Sequence, residues 1–292
     1  MESWLPKRSC LPSSSNARPV RYQQGGTTVR SYNLKKTEIH PTAVIHPWAR
    51  IGEGVKIGPY TVIGENVEIG DECEISSNVL IEGATKIGRN NKFFHGASVG
   101  TAPQDLKYHG EATHLTIGDD NVFREFVTLN LATGEGESTI IGSRCLLMAY
   151  VHVAHNCVIG NEVILANAVN LAGHVTIDDF VTIGGLTPVH QFVRIGKYAF
   201  IGGGSRIERD VPPFIKLAGN PPQIYGLNSI GLERRGFSAE RRSQIKHIYK
   251  LLYRSDLNVS QVLETLDGDD WDGADAAEMA QFLRHCERGI TK

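Results

Sequence analysis

Cysteine is scarce in this 292-residue chain. The five present are an odd, scattered set with no C-x-x-C pair, which argues against both a disulfide framework and a cysteine zinc site. Long apolar runs are missing too: none reaches the roughly 18 residues a membrane-spanning helix needs. Aromatic residues make up only 8% of the chain, so a large core must come from small aliphatic side chains. Glycine, by contrast, is abundant, with 31 residues. The length suits one large domain and a smaller one.

Acidic residues are nearly absent from the first 36 positions. Lys7, Arg8, Arg18, Arg21, Arg30, Lys35 and Lys36 stand there against Glu2 alone, a local charge of +6, so the net −2 of the whole chain leaves −8 for the rest. The stretch is rich in serine and has no apolar core of a secretory signal. Arg- and Ser-rich, acid-poor composition marks an organelle transit peptide. "VRSYN" at 29–33 resembles a mitochondrial processing site, so mitochondrial import is expected ahead of plastid import.

From Ile39 the chain keeps a clock of six. An aliphatic residue or Phe recurs at every sixth position from Ile39 to Val99, at Ile117, Phe123 and Leu129, and from Ile141 to Ile207. A small or β-branched residue follows four places later, as at Ala43, Val55, Thr61 and Cys73. Six fits neither the 3.6 period of an α-helix nor the 2 of a half-buried strand. It fits short strands joined by tight turns, with coils of three hexads stacking on one another. Residues 37–212 would then form about nine coils paired as parallel strands. Cys73, Cys145 and Cys157 all fall on the small inward position and read as buried core thiols. The pattern resembles the hexapeptide-repeat proteins, which implies a mainly β, left-handed parallel β-helix and a homotrimer with sites between subunits.

Two polar stretches interrupt the clock, 101–115 and 131–139. Projections from a rigid repeat tend to carry function. The first holds Gln104, Asp105 and Lys107. After Asp210 the clock stops, and residues 213–292 read as a helical domain. Ser238 caps a helix with Ile245, Ile248, Leu251 and Leu252 on its apolar face. A second helix is expected over 259–267 and a third over 274–288, with Cys286 inside it. Arg234, Arg235, Arg241, Arg242, Lys246, Lys250 and Arg254 make this region basic, a docking surface for an acidic partner or a phosphate.

The eighteen-residue coil also sorts the histidines. His155, Gly173 and Gln191 are spaced by 18 and share one column; His174 and His190 flank it and His152 lies just upstream. Two chemistries remain open for such a strip: metal binding, for which the three-residue spacing of His152 and His155 fits poorly, and general-base catalysis by a neutral imidazole.

"QDLKYHGE", "HVAHNCVIGN", "LAGHVTIDDF", "IGGLTPVHQF", "DVPPF" and "GLERRGFS" together resemble the UDP-N-acetylglucosamine O-acyltransferases of lipid A synthesis, from about residue 38 to the C-terminus. The resemblance implies transfer of a 3-hydroxyacyl chain from acyl carrier protein to the sugar 3-hydroxyl, with no cofactor, no metal and no nucleic acid. It makes His155 the general base and the Gly173 N–H the oxyanion donor, supported by Asp105 and Asn156. Gln104, Lys107, His152, His174, His190 and Gln191 would bind sugar and diphosphate. Asn228, Arg234 and Arg235 would hold the nucleotide, and Gly203 would set acyl length. Asn156 departs from the aspartate common in the family, and Asn130 and Leu131 replace a more basic pair. The alternatives are a carbonic-anhydrase-like β-helix metalloenzyme and a non-catalytic trimer that binds acyl carrier protein.

Overall fold

Each hexad supplies a two-residue strand and a turn, as in Lys56–Ile57, Val62–Ile63 and Glu68–Ile69. The second residue of each of these pairs points inward and is buried, whereas on the first coil Ile39 is exposed and Ile45 and Ile51 are half-buried. Three residues later the backbone enters the left-handed region: Tyr60, Glu72, Asn78, Tyr150, Asn156, His174, Phe180 and Tyr198 all have φ between 56° and 65°. A non-glycine residue costs on the order of 1 kcal/mol there. Each turn is followed by an inward aliphatic whose burial contributes about 1.5–3 kcal/mol, so the coil closes with a net gain.

The result is a left-handed parallel β-helix, seen in a computed structural model that describes residues 36–268, 271, 273–286 and 288–292. The described residues belong to one compact unit. The transit-peptide reading and Cys10 lie outside them.

Among the described residues the strands form three sheets, of eleven, eight and eight strands. Coils stack in register eighteen apart, Ile39 on Ile57 and Ile57 on Ile75. Val99 pairs with Leu129 across the first interruption, 30 apart, and Leu129 with Val153 across the second, 24 apart. The insertions are therefore 30 − 18 = 12 and 24 − 18 = 6 residues. Both are multiples of six, which is why the clock keeps its phase through each loop.

The interior is aliphatic, with one stacked pair, Phe93 on Phe123 at 4.8 Å. Cys73, Cys145 and Cys157 are buried, and each thiol donates to a backbone carbonyl, of Gly88, Gly160 and Ala172 respectively. Burial pushes their pKa values up to about 11, 11 and 12, so they are inert core residues. Asn91 and Asn121 occupy the same inward position and satisfy their amides on neighbouring coils.

The prism has three corners. The corner between the first and second sheets carries Tyr60, Phe126, Tyr150 and Leu186, all exposed. The second-to-third corner carries Asn156, His174 and Phe192, and the third-to-first carries Glu162, Phe180 and Tyr198. The first sheet runs on past residue 212: Ile215–Ala218 adds to Phe200–Ile201, and Gln223–Leu227 folds back antiparallel on it.

Four helices follow: α1 (Ser229–Arg234), α2 (Ala239–Arg254), α3 (Val259–Leu266) and α4 (Ala274–Arg284). Ser238 caps α2 through the Arg241 N–H, and Ile245, Ile248 and Leu252 are buried beneath it. The short α1 was not expected; Asn228 caps it. The third expected helix stops at Arg284 rather than 288, which puts Cys286 just past its end. The chain then turns back through Gly289, at φ 68°. Ile290 bridges to Asp210, and the Thr291 N–H donates to the Asp210 carbonyl.

Candidate active site

Corner geometry decides what meets at the second-to-third edge. The His152–Val153 strand puts Val153 in the core and His152 half-buried outside. Two residues on, the corner carries the imidazole of His155, which lies over the α-carbon of Gly173 one coil further. A β-carbon built on Gly173 would sit 2.5 Å from His155 Cε1 and Nε2. Only glycine leaves room for the ring.

The corner also frees a donor. At the third-to-first corner the equivalent N–H groups are capped by the side chain of the next coil: Glu53 by Asp71, Ser143 by Asn161, Asn161 by Asp179. The Gly173 N–H has no such acceptor among the described residues. An unpaired donor beside an imidazole is what a developing oxyanion needs.

The ring of His155 is oriented through Nδ1, 2.9 Å from Asn156 Oδ1 and 3.3 Å from Thr133 Oγ1. Its Nε2 lies 3.8 Å from Asp105 Oδ2. Asp105 is set by its own turn, Oδ1 accepting from the Lys107 N–H at 3.0 Å. Gln104 and Lys107 are exposed on the same loop. His174 meets His155 edge-on at 5.1 Å and stacks on Phe192 at 4.7 Å. His152 shares a 2.7 Å hydrogen bond with Thr128 Oγ1. Burial, and secondarily the neighbouring His155, lower the pKa of both His152 and His174, so both rings are neutral near pH 7. His190 and Gln191 are exposed one coil on; His190 Nδ1 lies 3.1 Å from the Gln191 carbonyl.

Not every expected residue joins this group. Asn228 and Arg235 sit on the next corner. Asn228 donates to the Tyr198 carbonyl at 3.0 Å, and Arg235 pairs with Glu162 at 2.8 Å and stacks on Phe180. Arg234 ends α1 with no ion pair among the described residues. Gly203 lies at the first-to-second corner, against Gly184 and Gly185 of the preceding coil. Within one chain, base, basic pair and Gly203 occupy three different edges.

Comparison with known proteins decides the family. The family model for UDP N-acetylglucosamine O-acyltransferase domain 2 matches residues 210–291, and the bacterial transferase hexapeptide model matches 35–65, 49–83 and 138–173. The acyl-[acyl-carrier-protein]–UDP-N-acetylglucosamine O-acyltransferase of Gloeothece citriformis is 54% identical over 79% of this chain and 84% of its own. That of Halorhodospira halophila is 47% identical over 88% of this chain and 100% of its own. The chain belongs to the UDP-N-acetylglucosamine O-acyltransferase family. The crystal structure of the UDP-N-acetylglucosamine acyltransferase from Bacteroides fragilis superposes with a TM-score of 0.83 at 41% identity, covering 87% of this chain and 100% of that one. The Arabidopsis UDP-N-acetylglucosamine acyltransferase structure gives 0.77 at 34% identity, covering 87% and 100%.

Three residues of this O-acyltransferase family member were missed by sequence reasoning. Thr133 holds Asn156 with both its backbone N–H and its hydroxyl. Glu111 ties the two loops together: Oε1 accepts from the Gly134 N–H at 3.1 Å and Oε2 from the His109 N–H at 2.8 Å. These bonds hold its carboxyl below the usual range. Arg288 donates to the backbone carbonyl of Gln191 at 3.1 Å, from 97 residues away. Loop and tail residues lie outside the clock, so no periodicity pointed to them.

The Gly173 contact is directly testable. A crystal structure of Gly173→Ala should show the His155 ring displaced by about 1 Å to regain ordinary contact distance, with its bond to Asn156 lengthened. A ring left in place would contradict the packing described.

Proposed function

We propose that the protein moves a 3-hydroxyacyl chain from acyl carrier protein to the glucosamine 3-hydroxyl of UDP-N-acetylglucosamine, the first step of lipid A-type synthesis. The observation that carries this reading is the pairing of the His155 imidazole with the unpaired N–H of Gly173 at one corner. His155 Nε2 takes the proton of the 3-hydroxyl. The oxygen attacks the thioester carbonyl, and the Gly173 N–H stabilises the oxyanion. Collapse breaks the C–S bond, and the imidazolium returns its proton to the leaving sulfur, giving ester and free thiol. The activated thioester needs no metal or cofactor.

Neutral His152 and His174, with Gln104, Lys107, His190 and Gln191, bind sugar and diphosphate, while Asp105 orients the hydroxyl or supports the base. Asn228, Arg234 and Arg235 hold the nucleotide. Their position on another edge supports a homotrimer in which a neighbouring copy completes each site. The exposed corner side chains Tyr60, Phe126, Tyr150 and Leu186, and Leu106 at 98% exposure, support the same assembly. Gly203 faces the acyl chain from such a neighbour.

Of the basic tail residues, Arg241 is neutralised by Asp275, Arg242 by Glu233 and Arg235 by Glu162. Arg234, Lys246, Lys250 and Arg254 are exposed with no ion pair among the described residues. The last three, all on α2, are the surface offered to the acidic carrier protein. The acid-poor composition of residues 1–36 supports delivery to an organelle, mitochondrion ahead of plastid.

A thioester-release assay with carrier-bound 3-hydroxyacyl groups and UDP-N-acetylglucosamine tests the chemistry. His155→Ala should lower kcat by about 10² to 10⁴-fold; equal turnover in both proteins would instead favour a non-catalytic carrier-binding trimer. Gly203→Met should shift the preferred acyl group to a shorter chain, and unchanged selectivity would remove Gly203 from the acyl groove.

A further inference from the structure

We propose that Thr133 is a positioning residue that dictates which ring nitrogen of His155 carries the proton, acting through the amide of Asn156. The inference rests on the general-base reading of His155 and deepens it.

Asn156 Oδ1 accepts from the Thr133 N–H at 2.9 Å and the Thr133 hydroxyl at 3.0 Å, and lies 2.9 Å from His155 Nδ1. Asn156 Nδ2 donates to the Thr133 carbonyl at 3.1 Å. The backbone of one residue therefore reads both ends of the amide, while the hydroxyl, which can donate or accept, fits either orientation. A flipped amide would set two donors face to face at the Thr133 N–H and two acceptors at its carbonyl. In the orientation that Thr133 enforces, a carbonyl oxygen confronts His155 Nδ1. That oxygen only accepts, so Nδ1 carries the hydrogen and Nε2 keeps its lone pair for the substrate hydroxyl. The flipped amide would present a donor to Nδ1 and move the hydrogen to Nε2, where a base could take nothing up.

The chemistry explains why this chain needs the lock. A carboxylate at position 156 accepts through both oxygens and would select the Nδ1–H tautomer either way round. An amide selects it only when something fixes its orientation. Thr133 sits at the tip of the second loop, and Glu111 of the first loop pins that tip through the adjacent Gly134 N–H. Both insertions thus converge on one ring nitrogen.

The test uses the full-length protein, with turnover measured beside ¹⁵N spectra of its labelled histidines. Thr133→Pro, which removes the N–H that fixes the amide, should lower kcat about tenfold while the KM for each substrate stays within about twofold. The His155 signals should gain an Nε2–H fraction. Thr133→Val, which loses only the hydroxyl and keeps both backbone groups, should retain Nδ1–H and most of the turnover. In an Asn156→Asp background the same Thr133→Pro change should cost less than about twofold, because a carboxylate needs no orienting. Equal losses in both backgrounds, or an unchanged tautomer in Thr133→Pro, would overturn the proposal. Should Thr133→Pro lose its fold, Thr133→Val decides: a gain of Nε2–H there would show that the backbone does not hold the amide and would equally overturn it. If His155→Ala keeps full turnover, the general-base reading itself fails. If it is inactive while Thr133→Pro behaves as wild type, only the role of Thr133 falls.

Discussion

Everything in this molecule depends on the left-handed corner. A residue near φ +60° at most of the six-residue corners turns the chain just enough for each inward aliphatic to land on the one eighteen residues earlier. The cost of a strained backbone at each corner is offset by an uninterrupted aliphatic core and by ladder hydrogen bonds on every face. No hexad could bury its apolar side alone, so the coils are stable only as a stack. The same geometry that stabilises the prism also arranges its surface in straight columns.

Those columns turn sequence spacing into a site. At the second-to-third edge the column reads His155, Gly173, Gln191. Glycine at its centre admits the imidazole, and Gln191 on the next coil does not cap the Gly173 N–H as Asp or Asn does at the third-to-first corner. Burial keeps the flanking His152 and His174 neutral, so no fixed cation on either ring competes with the charge His155 gains on taking up a proton. The arginine proposed to hold the nucleotide and the glycine proposed to limit the acyl chain stand on other edges, so the proposed chemistry requires copies of the chain packed edge to edge.

Much of this is legible in the amino-acid sequence. The clock named the inward aliphatics and the buried thiols, and eighteen-residue arithmetic put His155 beside Gly173, because a rigid repeat maps spacing directly onto distance. Ser238 was legible as a cap because capping is equally local. Legibility ended where the chain leaves the repeat. Thr133, Glu111 and Arg288 act through contacts spanning 23 to 97 residues that no period encodes. The short α1 gives no amphipathic signal of its own, and the third expected helix ran too far because the turn through Gly289 follows tertiary pairing with Asp210. The basic tail looked uniformly charged; that Arg235, Arg241 and Arg242 are already paired depends on where the fold brings their acids.

Subunit mixing tests the division of the site between edges most directly. Inactive His155→Ala chains and Arg235→Ala chains, unfolded together and reassembled in equal amounts, should recover about one quarter of wild-type turnover, since that fraction of interfaces joins an intact base to an intact arginine. Recovery no greater than that of either variant reassembled alone would mean that base and arginine serve from the same chain, and would contradict the account.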